Sequence, residues 1–233
     1  MTSPADEGFP AWFAPVLDVL DSAGAHDLSV FTPPVDRTPR RSAVLILLGE
    51  GPDGPDVLLT ERAATLRSHA GQVAFPGGAL DPGDAGPVEA ALREAREETG
   101  LDPAGVRVAG MLPELYLPVS DFAVAPVVAW WAQPSPVGPA DPAEVARVAR
   151  VPLAELTDPG RRFRVTHPSG YTGPGFEVGG LFVWGFTAGL LDRLIRLAGW
   201  ERPWELTRVR PLPLTVPRPS PQLSSPPSRE STA

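Results

Sequence analysis

Residues 71–101 read GQVAFPGGALDPGDAGPVEAALREAREETGL, and this stretch decides how the rest of the chain is interpreted. The run from Gly86 predicts a helix, because Pro87 suits a first helical turn and Gly100 stands where helices commonly end. At 100° per residue, one face of this helix carries Val88, Ala91, Leu92, Ala95 and Thr99. An adjoining face carries Glu94, Glu97 and Glu98. One side of the helix is therefore expected to pack, and the other to be acidic.

The acidic face calls for compensating positive charge, because carboxylates at i, i+3 and i+4 repel one another on a helix. Oxygen ligands on one rigid face suit Mg²⁺ or Mn²⁺, which bind carboxylates, waters and substrate phosphates together. An arbitrary acidic helix is more often a solvated surface with intrahelical pairs, such as Arg93 with Glu97. The helix alone leaves both interpretations open.

A longer pattern favours the metal interpretation. Gly78, five residues, Asp84, eight residues and then REAREETGL at 93–101 closely resemble the Nudix box, the signature of hydrolases that cleave a nucleoside diphosphate linked to another moiety. The REAREETGL end is a full match. The spacer before Arg93 is one residue longer than the family's usual spacer, and Asp84 stands where Glu is expected, which leaves the role of Asp84 open.

The resemblance covers roughly residues 40–198 and has implications for fold and chemistry. It implies an α/β protein, a Nudix-type α/β/α sandwich with a mixed β-sheet. It also implies that Mg²⁺ or Mn²⁺ is held by Glu94 and Glu98, with Glu97 as a third ligand or as the base that orients water. Arg93 is expected to hold Glu97 or a neighbouring carboxylate in place.

Residues 58–78, LLTERAATLRSHAGQVAFPGG, resemble a further signature of the coenzyme A diphosphatase branch of this family. Ala63 alone departs from that signature, where the branch usually has Ser. Coenzyme A carries a diphosphate and a separate 3′-phosphate, so Arg62 and Arg67 are expected to bind phosphate through bidentate contacts. Gly77 and Gly78 are expected to let the backbone approach the substrate closely.

The charged residues and the histidine of this segment could also have purely structural roles. The two arginines could instead pair with Glu61 or Asp84 at the surface. His69 either touches the substrate or is a loop histidine satisfied by backbone hydrogen bonds. Neither choice can be made from the residues alone.

The expected mechanism is attack of water on one phosphorus while metal neutralises charge on the diphosphate oxygens. Family members do not share one general base, and Glu144 is the first candidate here, with Glu114 or Asp121 as replacements. Three functions follow: a coenzyme A diphosphatase, a hydrolase of ADP-ribose or similar nucleotide sugars, and a non-catalytic binding module. The intact REAREE run argues against the third, and segment 58–78 separates the first two.

Composition narrows the classes of partner. The 233 residues carry 28 acidic against 20 basic side chains, a net charge of −8, so neither nucleic acid nor an anionic membrane is an expected partner. All basic residues are arginine, and cysteine is absent. The start of the sequence lacks the features of a signal peptide, and its longest apolar run is too short to cross a bilayer, which predicts a cytoplasmic protein. The family resemblance implies that its partner is a small-molecule nucleotide substrate. The oligomeric state is left open.

Patterning along the chain predicts three regions: a helix and Pro-rich connector at 1–39, the catalytic domain at 40–198, and a disordered Pro/Ser-rich tail at 199–233. Strand and helix signals alternate within the domain, so we expect a single sheet. The predicted pairings and late elements are a hairpin of 42–48 with 57–60, strands 106–112 and 122–131, a strand 162–166 paired with 176–182, and a helix 187–198.

Overall fold

The computed structural model describes residues 8–29, 31, 34, 36, 38–66, 69–167, 170 and 172–212. Arg67, predicted to bind substrate, lies outside these residues. The helices are α1 Ala14–Ser22, α2 Ala25–Leu28, α3 Pro87–Thr99, α4 Leu153–Leu156 and α5 Gly185–Leu197. The strands are β1 Arg40–Gly51, β2 Gly54–Arg62, β3 Val73–Ala74, β4 Gly77–Ala79, β5 Val106–Met111, β6 Leu115–Leu117, β7 Phe122–Trp131, β8 Val145–Pro152, β9 Arg162–Thr166, β10 Thr172–Val178, β11 Leu181–Val183 and β12 Val209–Pro211.

The larger sheet is built around β1. Strands run in the order β3-β2-β1-β7-β5, while β4 pairs with β1, β6 with β7 and β8 with β2. The β1–β2 pairing is antiparallel, as the predicted hairpin requires, whereas β1 and β7 are parallel. The sheet is therefore mixed, as expected.

Strand β1 is buried on both faces, which explains its nearly continuous apolar sequence. Because side chains alternate along a strand, Leu45 and Leu47 point to one face and Ile46 and Leu48 to the other. The first pair packs in a cluster with the alanines of α3. The second pair packs with α1, α5 and the smaller sheet. This layering confirms the α/β/α sandwich and makes the N-terminal helix α1 part of the core.

A second sheet corrects the expectation of a single one. Its strands run in the order β11-β10-β9-β12. Residues 176–182 were predicted as one strand, but Gly179 and Gly180 adopt φ of 55° and 73° and turn the chain into the β10–β11 hairpin. Glycine adopts two successive positive φ values at low cost, and this turn reverses the strand. The predicted β9–β10 pairing is present.

The segment after α5 differs from the prediction that a disordered tail begins at residue 199. Strand β12 pairs in parallel with β9, and Arg162 contacts Glu201 and the ring of Trp204. These contacts come from strand pairing and charge, so apolar periodicity did not reveal them. Residues 213–233 lie outside the described part of the chain. No helix within the described residues is long and apolar enough to cross a membrane.

Candidate active site

Helix α3 is the platform of the candidate site. Pro87 occupies its first turn, and Gly100 ends it in the left-handed conformation with φ 70°. Small side chains let the helix lie close to the sheet, and the buried positions are Ala90, Ala91, Ala95 and Thr99. Ala90 was missing from the predicted packing face, whereas Val88 and Leu92 are only partly buried. The carboxylates project from the neighbouring face.

Glycines at 77 and 78 are required by close approach. A Cβ at residue 77 would collide with the carbonyl oxygen of Ala43 in β1, and one at residue 78 would collide with the carboxylate of Glu94. The backbone N–H of Gly77 also donates to Glu98 Oε2 at 3.2 Å. The glycine turn therefore lies against the acidic face of α3, and its predicted contact with substrate stays a prediction.

Arg93 lies at the centre of a charged network. Its Nε and Nη2 donate to the two carboxylate oxygens of Asp84, each at 3.0 Å. Its Nη1 donates to Glu94 Oε1 at 3.0 Å and to Glu97 Oε2 at 3.1 Å. Nη2 also donates to the carbonyl of Ala79 at 3.2 Å. One guanidinium thus ties the loop before α3, the strand β4 and two helix carboxylates together.

The fork between Arg93 and Asp84 was missed by sequence reasoning. Hydrogen bonding to Arg93 lowers the pKa of Asp84 below its ordinary value, and the same bond raises the pKa of Arg93. Asp84 is not paired with Arg62, as the surface alternative had allowed. Two features of the sequence could have indicated this pair: the longer spacer before Arg93, and Asp in place of Glu at position 84. Both change how far the loop reaches toward the helix.

Glu98 occupies the most buried part of the acidic face. Its side chain is 10% exposed, and burial raises its pKa to about 7. The negative charges of Glu94 and Glu144 raise this pKa further, while the Gly77 N–H and Arg62 act in the opposite direction. Arg62 Nη1 lies 3.9 Å from Glu98 Oε1, so it compensates the charge only in part. The site concentrates negative charge where water is scarce.

Strand pairing brings Glu144 to the same region. Arg62 in β2 is opposite Val145 in β8, and the Ala63 N–H donates to the Glu144 carbonyl at 2.8 Å. The side chain of Glu144 is exposed.

The two alternative bases are engaged with other residues. Glu114 Oε1 is 3.7 Å from Arg41 Nε. Asp121 accepts a hydrogen bond from the hydroxyl of Tyr116 at 2.9 Å. The negative charge of Glu144, by contrast, acts on Glu98 and raises its pKa.

The donor set fits a hard divalent cation only after rearrangement. Within the described residues, no three acidic or histidine side chains converge closely enough to hold one ion. Glu94 and Glu98 face the glycine turn, whereas Glu97 is 52% exposed and bonded to Arg93. Glu98 is nevertheless buried among other carboxylates with only Arg62 nearby, at 3.9 Å, and a cation would stabilise such a set.

The sequence is similar to a known protein family and to two named proteins. A model of the NUDIX domain matches residues 38–168. A Cronobacter sakazakii protein named uncharacterized Nudix hydrolase NudL is 43% identical over 171 residues, which cover 70% of this chain and 85% of that protein. A protein of the same name from Shigella flexneri serotype 5b is 50% identical over 99 residues, covering 41% of this chain and 50% of that protein.

A likeness in fold extends to a solved structure. The crystal structure of a Nudix hydrolase from M. smegmatis, RenU, has a TM-score of 0.50 and 24% sequence identity. The match covers 69% of this chain and 86% of that one. At this identity the likeness concerns the fold alone.

Proposed function

This chain belongs to the Nudix hydrolase family, whose members act on pyrophosphate bonds, and we propose that its substrate is coenzyme A or a derivative of it. Hydrolysis of the diphosphate would give 3′,5′-ADP and 4′-phosphopantetheine or its acyl form. The observation that carries the proposal is segment 58–78, which resembles the coenzyme A branch and whose Arg62 lies 3.9 Å from Glu98. The signature segment therefore borders the acidic face of α3.

Nudix hydrolases generally use a divalent cation such as Mg²⁺ or Mn²⁺. Glu94 and Glu98 would hold it, with Glu97 as a third ligand or as the residue that orients water. When bound, the cation neutralises charge that develops on the diphosphate oxygens. The hydrogen bond from Arg93 occupies Glu97 Oε2 at 3.1 Å and leaves the other carboxylate oxygen for this role.

Glu144 is our candidate for the general base. Its side chain is exposed near Arg62 and Glu98, and its two competitors have other partners. It would accept a proton from the attacking water as the water oxygen bonds to one phosphorus and the bond to the bridging oxygen breaks. No covalent nucleophile is required.

Other residues would bind or position the substrate. Arg93 keeps Glu94 and Glu97 oriented through the contacts described above. Arg62 would neutralise the diphosphate, and the backbone of Gly77 and Gly78 would approach it closely. Arg67 remains a predicted contact of the 3′-phosphate.

A substrate panel tests the proposal. With Mg²⁺ or Mn²⁺ present, kcat/KM is measured for coenzyme A, acetyl-CoA, ADP-ribose and NADH, and we expect the two coenzyme A compounds to lead by about tenfold or more. Glu98→Gln is the control for contaminating phosphatases. A preference for ADP-ribose would make this a nucleotide-sugar hydrolase, and no turnover of any compound would leave a binding module.

The role of Arg62 is tested with a second pair of substrates. An arginine that binds the diphosphate should matter equally for coenzyme A and 3′-dephospho-CoA, because both contain that group. Arg62→Ala is therefore expected to lower kcat/KM for both by roughly tenfold. Unchanged values would make Arg62 a surface charge.

A further inference from the structure

His69 lies in the loop between β2 and β3 and has a backbone conformation that few side chains adopt. Its φ is 58°, in the left-handed region. Histidine tolerates this region better than most residues, but glycine and asparagine tolerate it at least as well. The turn alone therefore does not require an imidazole at this position.

Main-chain hydrogen bonds fix the loop against Arg62. The N–H of Arg62 donates to the Gln72 carbonyl at 2.9 Å, and the N–H of Gly71 donates to the Arg62 carbonyl at 3.1 Å. The N–H of Gln72 in turn donates to the His69 carbonyl at 3.1 Å. The loop thus returns to the strand end that carries Arg62, whose guanidinium is 3.9 Å from Glu98.

The His69 ring is held although it is exposed. Its Nδ1 is 2.8 Å from Gln72 Oε1. Its Nε2 has no hydrogen-bond partner among the described residues, and Arg62 Nε is buried without one. Fixing an exposed side chain costs rotamer entropy, and the turn conformation does not require the ring to be fixed. The arrangement leaves one ring nitrogen open to solvent, in the loop that returns to the strand end carrying Arg62.

From this geometry we propose that His69 binds the 3′-phosphate of the substrate and that Gln72 is its positioning residue. The identity of this phosphate rests on the proposed function. Arg62 is close to Glu98 and is suited to the diphosphate, whereas the more exposed His69 lies two residues after Arg67, the other residue assigned to the 3′-phosphate. Nε2 donates either from the imidazolium or, when the Gln72 amide donates to Nδ1, from the neutral ring.

The test separates the ring from the turn. His69→Asn retains a residue that accepts the left-handed backbone but lacks the ring. We expect it to melt within about 1 °C of the parent and to raise KM for coenzyme A roughly tenfold, with kcat unchanged. KM for 3′-dephospho-CoA should not change. His26→Asn, an exposed histidine of α2, is the matched control and should affect neither substrate.

Gln72 has its own test, which a structural role would not satisfy. Gln72→Leu should raise KM for coenzyme A by about threefold without changing kcat, because the ring loses its orientation. Gln72→Glu keeps an acceptor for Nδ1–H and should restore the parent KM. If Leu and Glu variants behave alike, Gln72 does not position the ring.

Three results would overturn the proposal: no change in His69→Asn, an equal loss on both substrates, or a loss of kcat alone. Failure of the proposed function looks different, since the parent enzyme would then prefer ADP-ribose to coenzyme A. In that case ADP-ribose and 2′-phospho-ADP-ribose replace the pair. A KM increase confined to the compound with the additional phosphate would support a phosphate-binding His69, and an equal effect on both would refute it.

Discussion

Arg93 and Arg162 each hold more than one carboxylate, yet they serve different parts of the molecule. Arg93 is 20% exposed, and its acidic partners lie on α3 or in the loop just before it. Arg162 is 1% exposed and joins Asp192 of α5, at 2.5 Å, to Glu201, at 3.2 Å. The first arginine organises neighbouring carboxylates at a surface, whereas the second connects separate elements inside the protein.

The difference lies also in what surrounds the two guanidinium groups. Arg162 lies over the rings of Phe176 and Trp204, at 5.4 and 4.8 Å from the ring centroids. Its Nε and Nη1 are buried without a hydrogen-bond partner. Every nitrogen of Arg93 has such a partner. We infer that changes at Arg162 act on stability and changes near Arg93 act on turnover.

The largest effect is expected from Arg162→Ala. It would leave Asp192 and Glu201 without their cation and remove packing under Trp204, which typically costs about 3–5 kcal/mol for a buried pair. For a chain of this size that corresponds to a fall in Tm of roughly 10 °C, measured by circular dichroism. The kcat of the folded fraction at low temperature should not change.

Arg210→Ala is the matched control for this comparison. Arg210 also bridges to a carboxylate, Glu177 at 2.6 Å, but both side chains are partly exposed. Such pairs contribute less than about 1 kcal/mol. Equal destabilisation by the two variants would show that the burial of Arg162 does not distinguish it.

The next effect concerns pH and Glu98. Its folded-state pKa is raised from 4.5 to about 7, so between these values the folded protein keeps a proton that the unfolded chain has lost. In metal-free buffer the free energy of unfolding should fall by about 1.4 kcal/mol per pH unit across this window, roughly 3 kcal/mol in total. The stabilisation is complete below pH 4.5 and is lost as pH rises through 7.

Glu98→Gln isolates this contribution, because other carboxylates titrate equally in both proteins. The stability difference between parent and variant, from urea titrations at several pH values, should change across the window and level off above it. The same variant should lose nearly all turnover. Parallel pH profiles for the two proteins would contradict the raised pKa, and a kcat above about a tenth of the parent value would contradict the ligand assignment.

A smaller effect is expected from Arg93→Lys. Lysine carries the same charge but cannot donate in parallel to both oxygens of Asp84 while also reaching Glu94 and Glu97. We expect kcat to fall by about tenfold, with a loss of stability under roughly 1 kcal/mol. Arg96→Lys, exposed on the same helix, is the control and should retain activity. A large fall in Tm with normal kcat would reverse the roles assigned to Arg93 and Arg162.

How much the sequence reveals differs between these two regions. Helix α3 could be predicted because its signals are local: a proline at the start, a glycine at the end and acids at helical spacing. The burial of individual side chains could not be predicted. Glu98, for example, is covered by the turn at Gly77, which is far from it in the sequence. The Asp84–Arg93 fork depends on loop geometry, which spacing alone does not define.

The contacts around Arg162 could not be predicted, because they leave little local pattern in the sequence. Strand β12 has three residues and ends in proline, so it lacks the alternation that marks a strand. Its order comes from pairing with β9, a tertiary contact. Arg162 itself looks like any basic strand residue until α5 and Glu201 are placed beside it. Local patterns therefore identified the candidate site better than they identified the C-terminal contacts.

The smallest expected effect is the difference in Tm between two truncations of the C-terminal segment. Removing residues 205–233 deletes β12, the hydrogen bond from Arg208 to the Gly160 carbonyl and the Arg210–Glu177 pair, but keeps Glu201 and Trp204 on Arg162. We expect a fall in Tm of a few degrees, about 1–2 kcal/mol, because short exposed strand pairings contribute modestly. Removing only residues 213–233 should leave Tm within about 1 °C, since Pro/Ser-rich sequence buries little apolar surface.

Both truncated proteins should retain the parent kcat, because residues 205–212, the deleted part that the structure describes, share no main-chain hydrogen bond with α3 or the glycine turn. Thermal melts and turnover are measured on the two proteins side by side, each with and without Arg162→Ala. If the longer truncation melts like the shorter one, β12 contributes no stability, and the folded unit ends before residue 205. If the longer truncation destabilises the parent but not the Arg162→Ala protein, β12 and Arg162 act as one unit. Additive losses would instead mean that Arg162 holds the chain only through Glu201 and Trp204.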